Sequence, residues 1–180
     1  MGTLSVEPVK ISVRKARVCD VKAIFALVQE FASRDEMLHR SIQEIYGGLR
    51  DFFVAWYGDT LAGIVSLHIW DEDLAEIRSL AVAESFRGVS AGSSLIEASL
   101  GEALELGIKR VFALTYAVGF FEKMGFSVVE KTLLPQKIWG DCAVCRKFPG
   151  CDETAVMRIL DPNTTDGPGK LCFGTVKERR

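Results

Sequence analysis

The stretch from Ala75 to Ser94, AEIRSLAVAESFRGVSAGSS, constrains the architecture of this chain more than any other part of it. Ala75 to Ala83 reads as a strand, and Arg87 to Ser93 as a turn rich in Gly and Ser. A long helix then runs from about Ser90 to Leu106 and stops at Gly107. Lys109 to Thr115 reads as a second, buried strand. Strand, crossover helix and further strand imply a parallel pair, so the sheet is at least partly parallel. The turn and helix start would present backbone N–H groups, a nearby Arg and a positive dipole end to an anion. Glu76 and Arg78, two residues apart on the first strand, share one face of it.

The remaining elements fill in around this unit. Ile11 to Arg17 reads as a first strand, and Asp20 as the N-cap of a helix carrying Val21, Ile24, Phe25, Val28 and Phe31. Ser41 and Glu44 are spaced as a capping box for a second helix, with Ile42, Ile45, Tyr46 and Leu49 as its apolar stripe. Phe52 to Tyr57 and Thr60 to Ile69 form a hairpin about Gly58-Asp59, with Gly first as a type II′ turn requires. Val118 to Met124 reads as a short helix ending at Gly125, and Phe126 to Leu133 and Thr154 to Leu160 as the last strands. The order is β-α-α-β-β-β-α-β-α-β-β, an α/β layer with helices on both faces of a mixed sheet. Residues 1–160 form one domain, and 161–180, rich in Pro, Gly, Asn and Thr, a loose C-terminal tail.

At 180 residues the chain is long enough for one well-packed domain. No apolar run approaches the ~18 residues of a membrane span, and the N-terminus lacks the layout of a signal peptide. A net charge of −2 gives no reason to expect nucleic acid or an anionic membrane as partner. Five Cys without an export signal read as reduced thiols in a cytoplasmic protein.

Several residues could carry chemistry. Arg87-Gly88-Val89-Ser90-Ala91-Gly92-Ser93 is spaced neither as a nucleotide-hydrolase phosphate loop nor as the dinucleotide fingerprint. Its bland alternative is an ordinary turn with Ser90 or Ser93 as helix cap. Glu76 is either half of a surface pair with Arg78 or, in a partly desolvated cleft, a general base. Thr115 and Tyr116 end a strand; Phe120 and Phe121 at helical spacing read by default as core, and Lys123 as a solvated helix residue.

Together these segments resemble the GCN5-related N-acetyltransferase superfamily from Ile11 to Leu160. The resemblance implies a single-domain acetyltransferase fold, with a mostly antiparallel sheet and a central splayed parallel pair. It also implies that acetyl-CoA is the co-substrate. Leu80, Ala81 and Val82 would pair with its pantetheine arm, and Arg87 to Ser93 would hold its pyrophosphate. Ser90 stands where the family's loop usually has its first Gly. The segment FFEKMGF, Phe120 to Phe126, is similar to the helix that packs along the cofactor, implicating Phe120, Phe121 and Lys123. Phe121 replaces the Tyr often assigned as general acid, leaving that role vacant, filled by a water or taken by Tyr116.

A narrower resemblance is to the short, stand-alone N-acetylglutamate synthases. It rests on Met37-Leu38-His39-Arg40-Ser41, Glu76-Ile77-Arg78-Ser79-Leu80-Ala81-Val82 and Val111-Phe112-Ala113-Leu114-Thr115. It implies L-glutamate as the acceptor in arginine biosynthesis, Arg40 and Arg78 as partners of its carboxylates, and Thr115 near the site. Since an ammonium must lose a proton before it can attack, Glu76 is the candidate base, through a water. Two bidentate Arg forks suit a dicarboxylate. By analogy such domains are usually homodimers. Two other classes stay open: an acetyltransferase of the same fold acting on another amino acid, a polyamine or a protein N-terminus, and a non-catalytic acyl-CoA-binding module. A net-acidic pocket would point to a polyamine and a net-basic one to glutamate.

Cys142-x-x-Cys145 followed by Cys151 offers three thiols where a structural zinc site takes four ligands. Without a second C-x-x-C pair, free thiols are favoured over zinc at Cys142, Cys145 and Cys151.

Overall fold

The computed structural model describes residues 10–134 and 150–160. Seven strands form one sheet in the order β1-β2-β3-β4-β5-β7-β6: β1 (Ile11–Lys15), β2 (Phe52–Tyr57), β3 (Thr60–Ile69), β4 (Leu74–Val82), β5 (Arg110–Thr115), β6 (Ser127–Val128) and β7 (Thr154–Ile159). Among the described residues only the β4–β5 pairing is parallel, as the crossover through α3 (Ala91–Glu105) requires. Helices α1 (Val21–Ala32), α2 (Ile42–Gly47) and α4 (Val118–Lys123) complete the fold.

Strand alternation divides the core into two faces. In β2, Phe53 and Ala55 pack with Leu95, Ile96 and Leu100 of α3 and Phe121 of α4. Phe52 and Val54 point the other way, onto Val21, Ile24, Val28 and Phe31 of α1 and Ile45 of α2. Helices therefore cover both faces. The hairpin turn has φ +56° at Gly58 and no positive φ at Asp59, the pattern of a II′ rather than a I′ turn.

Three local expectations are corrected. Asp20 does not cap α1: its backbone is helical (φ −81°), and its carboxylate instead accepts from the Arg17 N–H at 2.7 Å and from both terminal guanidinium nitrogens of Arg14 at 2.6 and 2.9 Å. The strand expected over Phe126 to Leu133 is only Ser127–Val128, because the chain leaves the sheet after Val129 bonds Ala155 and turns at Lys131–Leu133. Ser90 precedes α3 in the left-handed region and makes no side-chain cap bond. Of the cysteine cluster, Cys142 and Cys145 lie outside the described residues, as does the tail beyond residue 160; Cys151 has its Sγ 3.7 Å from a Glu153 carboxylate oxygen.

Candidate active site

The site is organised by a fault in β4. Ile64 pairs with Ala81 and Ser66 with Arg78, so Val65 alone faces both Ser79 and Leu80. This bulge is held by Ser79 at φ +53°, a conformation that costs a non-glycine residue energy. The extra residue reverses the alternation. Ala75 and Ile77 face the α3 side before it, and Leu80 and Val82 after it, while Ala81 turns to the α1 side. Pairing with β5 ends earlier, at Glu76 with Phe112. Beyond that point β4 and β5 splay, and the β4 edge from Ile77 onward no longer belongs to the parallel ladder. Gly63 makes the close packing here possible, since a Cβ there would lie 2.8 Å from the Ala81 carbonyl oxygen.

Two concavities lie beside this strand. The first, of about 330 Å³, is lined by Val82, Phe86, Arg87, Gly88, Ser90, Ala91, Gly92, Ser93 and Phe120. Gly88 and Ser90 both have left-handed backbones, φ +81° and +65°, which turn the chain sharply into α3. The Ser93 hydroxyl donates to the Ser90 carbonyl and no side chain caps the helix start, so its first N–H groups remain for an anion. Gly92 lies under the Phe120 ring, where a Cβ would already touch it at 3.4 Å. The lining is thus a run of small residues, one Arg, and the apolar side chains of Val82, Phe86 and Phe120.

The second concavity, of about 470 Å³, is lined by Arg40, Glu44, Gly47, Gly48, Asp51, His68, Ile69 and Arg78. Arg40 and Arg78, distant in sequence, meet here. Arg40 is positioned from two sides: its carbonyl accepts from Gln29 of α1 at 3.0 Å, and its Nε donates to the Ser79 hydroxyl at 3.3 Å. Both acids of this cleft are engaged by the protein's own donors. Glu44 accepts the Ser41 backbone N–H at 2.6 Å and its hydroxyl at 2.7 Å, which hold its carboxyl below the usual carboxylate range. Asp51 sits 2.9 Å from His68 Nδ1. Glu76, directly opposite His68 in the β3–β4 ladder, accepts the Trp70 indole N–H at 2.8 Å.

The other expected residues are placed as follows. Thr115 is buried and its hydroxyl oxygen accepts the Ala117 N–H at 2.9 Å; it does not line the cleft of the two arginines. Tyr116 is half exposed at the end of β5 and donates to Asp152 ahead of β7. Phe121 is buried, packed edge-on between Phe120 and Phe126 in the core, so of the aromatic pair only Phe120 reaches the groove. Lys123 and Val89 are exposed and outside the lining. Sequence reasoning missed Gln29, Asp51, His68, Trp70 and the bulge at Ser79. His68 alone had a signal, a polar residue two beyond Ser66 on an otherwise apolar strand.

Comparison with known proteins agrees with this geometry. Residues 21–126 match the model of the acetyltransferase (GNAT) family. The chain is 43% identical over 148 residues to an uncharacterised N-acetyltransferase of Chlorobaculum tepidum, covering 82% of this chain and 96% of that protein. It is 32% identical over 155 residues to an amino-acid acetyltransferase of Mycobacterium tuberculosis, covering 84% and 87%. Among solved structures it is similar to a Mycobacterium tuberculosis protein in complex with CoA, at TM-score 0.72 and 27% identity over 83% of this chain and 99% of that one. It is also similar to N-acetylglutamate synthase from Neisseria gonorrhoeae complexed with coenzyme A and N-acetyl-glutamate. There the TM-score is 0.76 at 26% identity, over 84% of this chain and 35% of that one. The bulged and splayed β4, the open turn into α3 and these matches lead to one conclusion: the chain belongs to the acetyltransferase (GNAT) family and is an acetyl-CoA-dependent N-acetyltransferase.

Proposed function

We propose that this enzyme acetylates the α-amine of L-glutamate, within a domain spanning residues 1–160. The observation that carries the reading is the meeting of Arg40 and Arg78 in one cleft beside β4. A dicarboxylate needs two cationic partners, and each guanidinium offers a bidentate fork. The two acids of the cleft balance the formal charge, but Ser41 and His68 hydrogen-bond their carboxylates, so they are held by the protein's own donors. The amino-acid acetyltransferase and N-acetylglutamate synthase relatives support the same acceptor class. In this reading the enzyme serves the first step of arginine biosynthesis in the cytoplasm.

The groove on the α3 side fits a thioester of CoA by its own chemistry. The Gly88–Ser93 turn and first N–H groups of α3 would hold the pyrophosphate, with Arg87 as counter-charge. Phe120 and Val82 would pack against the pantetheine arm, whose amides would use the β4 edge left open by the splay. Backbone N–H groups near Leu80 to Val82 would stabilise the oxyanion that develops on the thioester carbonyl. An ammonium has no lone pair, so Glu76, acting through a water, would take its proton before attack. Tyr116 would return a proton to the departing sulfur. The reference thiol pKa near 8.5 makes that assistance less demanding than for an alkoxide.

The decisive experiment is release of CoA thiol from acetyl-CoA in the presence of each amino acid in turn. L-Glutamate is expected to give the highest kcat/KM, and a rate no greater than the acceptor-free background would reject it. A second acceptor, an amino acid with an uncharged side chain, is favoured by one feature: Glu44 and Asp51 leave the cleft with no net formal charge when His68 is neutral. The same panel separates the two.

A further inference from the structure

We propose that His68, held by Asp51, is the residue onto which the acceptor amine's proton is finally passed. The inference rests on amino-acid acetylation in the Arg40–Arg78 cleft and adds the route by which the proton leaves it. His68 lines that cleft, whereas Glu76 is not among its lining residues. Across the β3–β4 ladder, His68 and Glu76 are direct partners on one face. Directly opposite side chains in such a ladder have Cβ atoms about 5 Å apart, within reach of each other or of one bridging water.

The ring's state is fixed by its neighbours. Asp51 lies 2.9 Å from Nδ1, so that nitrogen carries the hydrogen and donates to the carboxylate. The lone pair is then on Nε2, the nitrogen that can accept a proton. Asp51 also stabilises the imidazolium once it forms. Trp70 fixes the other two parties, stacking edge-on against the His68 ring at 5.1 Å while donating to Glu76. That bond engages Glu76 Oε2, so a carboxylate already bonded to Trp70 gains from a neighbour that takes the proton onward.

The step balances without any further reagent. One ammonium N–H bond breaks and leaves its electron pair on nitrogen. The proton crosses Glu76 and its water to Nε2, where an N–H bond forms, and solvent at the mouth of the cleft later removes it. Nitrogen then attacks the thioester carbonyl and the C–S bond breaks with its pair on sulfur. Tyr116 gives its proton to that thiolate, and the second N–H proton replaces the one Tyr116 gave. The charged and titratable groups facing His68 are Asp51 after α2, Glu76 and Arg78 from β4, and Arg40 and Glu44 at the start of α2. An imidazolium would add a third cation beside the two arginines, and the relay can start only from a neutral His68.

The test is the pH dependence of kcat/KM for wild type, His68→Gln, Asp51→Asn and Glu76→Gln, with acetyl-CoA and whichever amino acid the wild type acetylates. Wild type is expected to gain activity as pH rises through an inflection in the imidazole range. His68→Gln should lose that inflection and reduce kcat on the order of 10- to 100-fold, with acetyl-CoA KM unchanged. Asp51→Asn removes the anion that favours the imidazolium, so its inflection should move to lower pH; a merely structural Asp51 would not move it. Should His68→Gln fail to fold, the Asp51→Asn inflection decides: a downward move supports the relay and an unmoved one overturns it. A His68→Gln enzyme with the wild-type profile and kcat overturns the relay, while an impaired Glu76→Gln in the same series leaves the base in place. No acetylation of any amino acid by wild type would overturn both.

Discussion

Ser90 shows how a single residue can depart from a pattern while keeping its geometry. The position before α3 has φ +65°, a conformation glycine adopts freely and serine does not. Ser90→Gly is therefore expected to stabilise the protein by about 1 kcal/mol and raise the thermal midpoint, with no loss of acetyl-CoA binding. An unchanged or lower midpoint would mean that the turn is not strained. Asp20 makes the opposite case. It is 3% exposed and paired with Arg14, whose hydrogen bonds, followed by the Arg17 N–H, hold its carboxyl below the usual range. Its contribution is complete above the unfolded carboxylate pKa of about 3.9 and is lost as pH falls through the lower folded value. Arg14 is 34% exposed, so water takes up part of its charge when the partner goes. Asp20→Asn should cost about 1–3 kcal/mol in urea unfolding at neutral pH, and the gap to wild type should narrow in acid below the folded carboxyl's titration. A gap independent of pH would show that the ion pair is not its source.

At the level of the element, most of the order was legible because the helices bury one face each and the central strands bury both. The apolar period near 3.6 in α1 and the unbroken apolar run of β2 follow directly from that burial. The short β6 was not legible, since a two-residue edge strand has no period, and nothing in Phe126 to Leu133 marks where pairing with β7 stops. The bulge in β4 was hidden for a related reason. IRSLAV has the composition of an unbroken strand, and a serine at the left-handed position gives no warning where a glycine would. Yet the bulge sends Glu76 and Arg78 to one side of the sheet and Leu80 and Val82 to the other. Gly63 is its support from β3. Gly63→Ala would press a methyl group to 2.8 Å from the Ala81 carbonyl oxygen and 3.1 Å from Leu95, neither of which is a freely moving side-chain end. The expected cost is about 1–3 kcal/mol by chemical denaturation, with weaker acetyl-CoA binding as the β4 edge shifts. Wild-type stability and affinity would show that β3 can recede without disturbing the bulge.

For the whole molecule, the consequence is a pair of concavities on the two faces of one sheet. The turn into α3 and Phe120 lie on the α3 side, and Arg40, Arg78 and His68 on the side of α1 and α2. The former was readable because most of its residues lie in one short segment, Phe86 to Ser93. The latter is assembled from the α1–α2 connection, the turn after α2, β3 and β4, so only the arginines had been singled out, and their meeting is a product of the fold. If the two concavities hold different substrates, their kinetic effects must separate. Arg40→Ala and Arg78→Ala should raise the KM for the amino acid by about tenfold or more, the worth of a charge-assisted hydrogen bond of roughly 1.5–3 kcal/mol, and leave the acetyl-CoA KM near wild type. Gly92→Val should do the reverse, since its branched side chain would extend into the Phe120 ring and the groove beside it. Glu76→Gln should lower kcat with both KM values little changed, because it removes a proton acceptor and no binding charge. The proper readout is a full two-substrate kinetic matrix, in which each variant's effect falls on one axis. Arginine variants that weaken acetyl-CoA as much as the amino acid would mean that β4 transmits each loss across the sheet, and the two faces would then have to be treated as a single site.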